Sequence, residues 1–411
     1  MGKRFNGLLI LLLLTVLCAC GRKDVAVWKA GIETATDTVA YQDVFGDGDG
    51  EELVVREDVD LNGRRCRLPK GVTLNFQGGV IKNGTLVGDE TSIESTGVCF
   101  DRVRVQGTWN VYDISTSMFR DLDYDNSLKD VVALANPQIQ NRIVIEEGDY
   151  QVTASKEDIV CLLIGSNTEL VINGTIRMTP NDLEGCDVIR AWGEHIQITG
   201  TGTIVGDKHT HTGTTGERGM GIEVIESKDV AISGLTVKDC WGDCIYVGEE
   251  STNVLIANCQ LDHGRRQGVS VTAADSVTIR ECTITNVAGT APEYGIDVEP
   301  NAGEVVDHVT IEEVTVNDCK GGFLVYGRAD DARVGTVMIR NCTVSSDKKP
   351  TFAVNKCDTL IVQDCDLTLN NGFIGSLKDW VKPLFGKEKA KVMEIKECGT
   401  ARMVGNNERK Q

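Results

Sequence analysis

Six times between Gly221 and Asn371 the chain repeats one short pattern, and this repeat limits the folds open to it more than any other feature. The copies open at Gly221 (GIEV), Cys244 (CIYV), Gly268 (GVSV), Gly295 (GIDV), Gly322 (GFLV) and Thr351 (TFAV), with successive starts 23, 24, 27, 27 and 29 residues apart. Each opening alternates apolar and polar residues, as a half-buried strand does. A second apolar run follows in every copy, and its members align as rungs, from Val230/Ile232/Leu235/Val237 through Val254/Ile256/Cys259/Leu261 to Leu360/Val362/Cys365/Leu367. A period of about 20 to 30 residues holding two short β-branched runs means a solenoid, in which a coil buries its apolar edge only by stacking on its neighbours. The leucine-dominated consensus of a leucine-rich repeat is missing. Coils of two or three short strands with tight bends remain, which is an all-β fold of the parallel β-helix kind.

A solenoid grows in one dimension, so 411 residues predict one elongated body rather than several domains. The 44 glycines and 7 prolines suit many tight bends between short strands. Past residue 20 stand thirteen cysteines, among them Cys259, Cys282, Cys342 and Cys365 at one inward rung and Cys240 and Cys319 at another. Stacked strands about 4.8 Å apart fit disulfide geometry poorly, so most of these are expected to be free thiols packed as small hydrophobes.

The repeat resembles the right-handed parallel β-helix of the pectin-lyase-like superfamily. SLKDVVALA (127–135), with helical spacing, followed by RIVIEEGDYQV, is similar to the opening of pectate-lyase-like and polygalacturonase-like helices. On this reading an N-terminal cap and first coils fill 41–135, main coils fill 142–371, and 372–411 forms a C-terminal cap with a helical stretch, a last strand and a fraying tail.

Lys3 and Arg4 precede an apolar run from Leu8 to Leu17 that is short for a retained membrane helix. It ends in Leu17-Cys18-Ala19-Cys20, which looks like a bacterial lipobox. The resemblance implies a signal peptide over 1–20, lipidation of Cys20, a tether over 21–40, and a body held at the cell envelope, most naturally the outer membrane, by its lipid anchor. A formal charge of −19 argues against nucleic acid as a partner, because phosphate binding needs a basic face. It also repels a polyanionic glycan unless the site is locally basic. No metal site is expected: no Cys-x-x-Cys pair occurs, and Asp47-Gly48-Asp49-Gly50-Glu51 is only part of a calcium loop and reads as an acidic turn.

Aligning the opening strands places their outward residues in columns. One column reads Glu223, Tyr246, Ser270, Asp297, Leu324, Ala353; two residues on, another reads Ile225, Gly248, Thr272, Glu299, Tyr326, Asn355. Polar groups of both signs crowd this ribbon, which suits a linear polysaccharide or oligosaccharide. Asp243, Asp297 and Glu299 are the candidate catalytic carboxylates. Asp243 and Asp297 are two coils, or about 10 Å, apart, which leans towards the wider spacing of inverting glycosidases. Mutual repulsion is expected to keep one carboxyl protonated as the acid while another serves as base. Glu223, Tyr246, His263, Arg265, Arg266, Tyr294, Tyr326 and Arg328 are the candidate substrate-binding residues. The irregular loop DKHTHTGTTGERG, between Gly206 and Gly219, is a candidate wall or lid.

Two local resemblances bear on chemistry. GDCIYVG is similar to the acidic strand of family 28 polygalacturonase-like glycosidases, which implies a catalytic role for Asp243; the family's second adjacent Asp and its Gly-His-Gly motif are absent here. YGIDVEP looks like the Tyr-Gly-x-Asp-x-His strand of β-helical alginate epimerases, with Glu299 in place of the histidine. The second implies an alternative, a uronate lyase or epimerase, in which Arg265, Arg266 or Arg328 neutralises the substrate carboxylate, Tyr294 or His263 moves the proton, and calcium is a possible cofactor. A third alternative is a non-catalytic glycan-binding or structural lipoprotein.

Overall fold

A computed structural model describes residues 38–46, 50–123, 126–370 and 392–410. The candidate signal segment, Cys20, nearly all of the tether, residues 47–49 of the acidic turn and the helical stretch expected after Asn371 lie outside the described residues. Among the described residues no helix is long and apolar enough to cross a membrane.

The chain winds as a parallel β-helix. An N-terminal group of seven parallel strands runs from Thr38–Ala40 to Phe100–Trp109. The helix Ser127–Val132 buries Leu128, Val131 and Val132 and is tied to the last of those strands through Asp130, which accepts from the Val105 amide at 2.9 Å and from Arg104 at 3.0 Å. The predicted helix therefore ends three residues early.

From Asn141 to Ser346 each coil has three strands where the repeat displays two runs, and in the last two coils Phe352–Gln363 and Met393–Val404 each run unbroken over the first two faces. The first face takes the opening strands, such as Arg218–Ile225, Ile245–Gly248, Val269–Val271, Tyr294–Val298 and Gly321–Tyr326. The second takes Lys228–Ser233, Ser251–Ala257, Ala274–Arg280, Val305–Glu312 and Arg333–Arg340; the third takes short strands such as Thr236–Lys238, Gln260–Asp262 and Thr283–Thr285. Pairing is parallel and in the register of the repeat: Val230, Val254, Val277, Val309, Val337 and Leu360 are successive partners. All are buried in one continuous core.

From Lys228 onward the bend from second to third face has one design. Two residues separate the strands, the first in the left-handed region and the second buried: Asn258-Cys259, Glu281-Cys282, Glu313-Val314, Asn341-Cys342 and Asp364-Cys365, with first-residue φ between 51° and 56°. Cysteine fits there as a small apolar side chain, and the described cysteines are all free thiols.

The winding also continues past Asn371. Met393–Val404 pairs in parallel with Phe352–Gln363, and Asn407–Lys410 pairs with Asp366–Leu369. The tail expected to fray is thus another stacked coil, because its backbone groups find partners on the preceding rung.

Candidate functional site

The first face carries the predicted columns. Glu223 pairs with Tyr246, Tyr246 with Ser270, Ser270 with Asp297, Asp297 with Leu324 and Leu324 with Ala353. These side chains point away from the core, yet they are buried rather than solvated: Glu223, Tyr246, Ser270 and Asp297 are all under a tenth exposed. Longer side chains and the turns leading from the third face cover the strip.

Arg266 organises the centre of the strip. It rises from the turn before Gly268, and its Nη1 lies 3.0 Å from Asp243 Oδ2 while its Nη2 lies 3.9 Å from Glu299 Oε2. Adding the width of one planar guanidinium puts those two oxygens at most about 9 Å apart. Ser270 Oγ donates to the same Asp243 oxygen at 2.8 Å, and Gln267 Nε2 donates to Asp297 Oδ2 at 2.7 Å. Asp243 Oδ1, Asp297 Oδ1 and Arg266 Nε are buried without a hydrogen-bond partner.

Burial is the main cause that pushes all three carboxyls up. For Asp297 the neighbouring Glu299 adds to it and the carboxyl stands well above the ordinary range. For Asp243, Arg266 and Ser270 oppose it without cancelling it; Glu299 is likewise raised, with Arg266 and Arg328 opposing. The two carboxyls interact: Glu299 raises Asp297 further, while the contact with Asp297 partly offsets the burial that raises Glu299.

One end of the strip has a second acid and arginine group. Arg190 contacts Asp187 at 2.6 Å and Glu223 at 2.8 Å, while Arg218 reaches Glu223 at 3.5 Å and stands over the Tyr246 ring at 5.6 Å. Tyr246 Oη pairs with Thr272 Oγ1 at 2.9 Å. At the other end Glu293 takes both Lys320 and Lys349.

The irregular loop forms a wall beside Asp243. His211, its side chain fully buried, holds Asp207 at 2.7 Å and stacks on Trp241 with ring centroids 3.8 Å apart. The Arg265 guanidinium lies 3.7 Å from the same indole centroid. Two planar groups that close cannot share one face, so the indole is sandwiched between them. Arg265 Nη1 also donates to the carbonyls of Gly216 at 2.9 Å and Trp241 at 3.2 Å, and Glu217 faces Arg266 at 3.8 Å.

The structure brings together Asp243, Asp297, Glu299 and Arg266, with Arg328 acting electrostatically on Glu299. It places Glu223 and Tyr246 further along the same strip. It separates others from this centre. His263 stands in a left-handed turn, paired with Asp262 at 2.7 Å and facing the His209 ring. Tyr294 is 2% exposed, so its ring faces are closed to a sugar. Tyr326 packs against Tyr294, Leu324 and Ala353. Sequence reasoning missed Asp187, Arg190, Glu217, Trp241 and His211 as members. Only the broken register of the loop signalled Glu217 and His211; Trp241 stands in the later turn just before Asp243. Among the described residues no group of three or more His, Cys, Asp or Glu side chains is placed to hold a metal ion.

Residues 170–335 match the family model for a right-handed β-helix region. The architecture is that of a right-handed parallel β-helix. The chain is 29% identical over 225 residues to the SPbeta prophage-derived uncharacterized protein YorA of Bacillus subtilis (strain 168), covering 48% of this chain and 36% of YorA. It is 33% identical over 134 residues to the uncharacterized protein YclG of the same strain, covering 28% of this chain and 23% of YclG. The match thus spans about a third or less of each of these relatives. A crystal structure of a putative glycosyl hydrolase from Parabacteroides merdae superposes with a TM-score of 0.38 at 16% identity, covering 50% of this chain and 97% of that one.

Proposed function

We propose that the chain is a carbohydrate-active β-helix protein that hydrolyses a polysaccharide, anchored at the cell envelope through Cys20. The observation that carries the reading is the gathering of Asp243, Asp297 and Glu299, from coils two apart, around Arg266 on one strip. In this mechanism the Asp297 and Glu299 pair supplies the proton. It passes to the glycosidic oxygen as the bond from that oxygen to the anomeric carbon breaks. Asp243, held by Arg266 and Ser270, takes a proton from the attacking water, which leaves a new reducing end. The two-coil separation of Asp243 and Asp297 leans towards the roughly 6.5–9.5 Å spacing of inverting enzymes, and the ceiling of about 9 Å between Asp243 and Glu299 allows it.

The full burial of Asp243 favours a second reading, in which the acid and arginine network is structural and the strip binds glycan without cleaving it. The uronate lyase or epimerase alternative has less support. Of its two candidate bases, Tyr294 is buried, with its hydroxyl pushed up by that burial, and His263 is bound to Asp262.

Incubation with a panel of polysaccharides decides between these. New reducing ends without ultraviolet absorbance support hydrolysis, an unsaturated product means elimination, and retention of glycan without turnover leaves the binding role.

A further inference from the structure

Resting on the glycan reading above, we infer that the strip selects an uncharged, hydroxyl-rich polysaccharide and rejects polymers of uronic acids. Binding a uronate requires a cation that is available to the incoming carboxylate. Among the described residues, the cations along this strip already face acids or carbonyls of the protein itself. Arg218 faces Glu223; Arg266 faces Asp243, Glu299 and Glu217; Lys320 and Lys349 share Glu293; Arg328 acts on Glu299. Arg265 is spent on two backbone carbonyls and the Trp241 indole. Turning Arg266 towards a uronate would strip Asp243 of the one guanidinium paired with it among the described residues, exchanging one ion pair for another while leaving a dry acid uncompensated.

The buried polar atoms without partners point the same way. Asp243 Oδ1 and Asp297 Oδ1 need donors, which a carboxylate cannot supply; Trp241 Nε1 and His211 Nε2 are also without partners, and Arg266 Nε has only Glu217, at 3.8 Å. A hydroxyl both donates and accepts, so one class of group satisfies the whole set. A carboxylate only accepts, and beside Asp243 Oδ1 it adds repulsion. The net charge of −19 repels a polyanion over longer range as well.

The test is binding of matched oligosaccharide pairs to the purified protein by titration calorimetry. In each pair a gluco- or manno-oligosaccharide is compared with the same backbone oxidised to the carboxylate at its primary hydroxyls. The neutral member is expected to bind more tightly by about tenfold or more, a difference of about 1.4 kcal/mol. Its affinity should stay flat between about 0.01 M and about 1 M salt, over which the screening length falls from about 30 Å to about 3 Å. Glu217→Gln, which relieves Arg266 of one acid, should narrow the gap. Equal or tighter binding of the carboxylated members, weakening with salt, overturns the charge selection while leaving the glycan reading intact. If no member of any pair binds, the glycan reading falls and this inference with it.

Discussion

Arg266 reaches Asp243 on the preceding coil, Nη1 to Oδ2 at 3.0 Å, although 23 residues of chain separate them. The pair is buried, so its worth lies less in net stability than in the penalty for breaking it. Replacing Arg266 with Met leaves Asp243, Asp297 and Glu299 without their shared cation. Unfolding by denaturant at neutral pH should show a loss of about 3–5 kcal/mol. The loss should shrink at acid pH as the carboxyls take up protons.

Asp297→Asn separates chemistry from folding. Asn keeps an oxygen to accept from Gln267, which now bonds at 2.7 Å, and it removes a carboxyl that burial and Glu299 already force towards neutrality. The melting temperature should hold or rise at pH 7. Turnover of the responsive polysaccharide should fall by about two to four orders of magnitude, as loss of a general acid or base does, with glycan retention largely kept. Unchanged turnover would remove Asp297 from the catalytic set.

Stability should fall as pH rises above about 4. Asp187 and Asp297 stand above their ordinary 3.8 because burial, then a neighbouring glutamate, disfavours the charged form. The folded chain therefore keeps protons that the unfolded chain has released. This stabilisation is complete below pH 3.8 and is lost as pH climbs through the folded values. Glu293 works in the opposite direction: burial raises it, but Lys320, the Gly289 amide and Lys349 together hold it below 4.5, so its contribution is lost only in acid. Denaturation followed against pH should show the decline above 4, and Asp187→Asn should flatten it.

Of the thirteen cysteines from Cys66 to Cys398, only Cys398 is not fully buried. A thiol reagent should label Cys398 rapidly in the native protein and the other twelve only after unfolding. Burial pushes Cys99 up to about 11 and Cys186 up to about 12, so neither offers thiolate at neutral pH.

Gly322→Ala tests the close stacking of coils. A Cβ at Gly322 would sit 2.0 Å from the Thr351 carbonyl oxygen, a backbone atom of the next coil. The strand must shift or the coils part, and denaturant unfolding should report a loss of about 1–3 kcal/mol.

The winding and the register of its columns were legible because apolar side chains recur once per coil, and the pairing of Ser270 with Asp297 follows from counting alone. The third strand of each coil was hidden because it is only about three residues long and lies beyond a two-residue bend, so that Leu235 and Val237 read as one run. The gathering of Asp243 and Asp297 was also readable from the period. What covers them was not. Arg266, Glu217 and the His211 and Trp241 stack come from turns of irregular length, where no periodicity fixes direction. Asp187 was missed because its partner Glu223 sits one coil further on, and its own strand falls before the clear repeats begin.

The two-residue bend between the second and third faces has wider meaning for how such a chain changes. That corner has the same length in every coil from Lys228 to Leu369, whereas the corners flanking the acid strip run from none, within the unbroken Phe352–Gln363, to the twelve residues of 206–217. One edge of the solenoid acts as a fixed spine, and growth in length is confined to the two edges that border the acids. New walls can be grafted beside Asp243 and Asp297 without disturbing a single buried rung, so a lineage of such chains can alter what it grips while leaving its scaffold untouched.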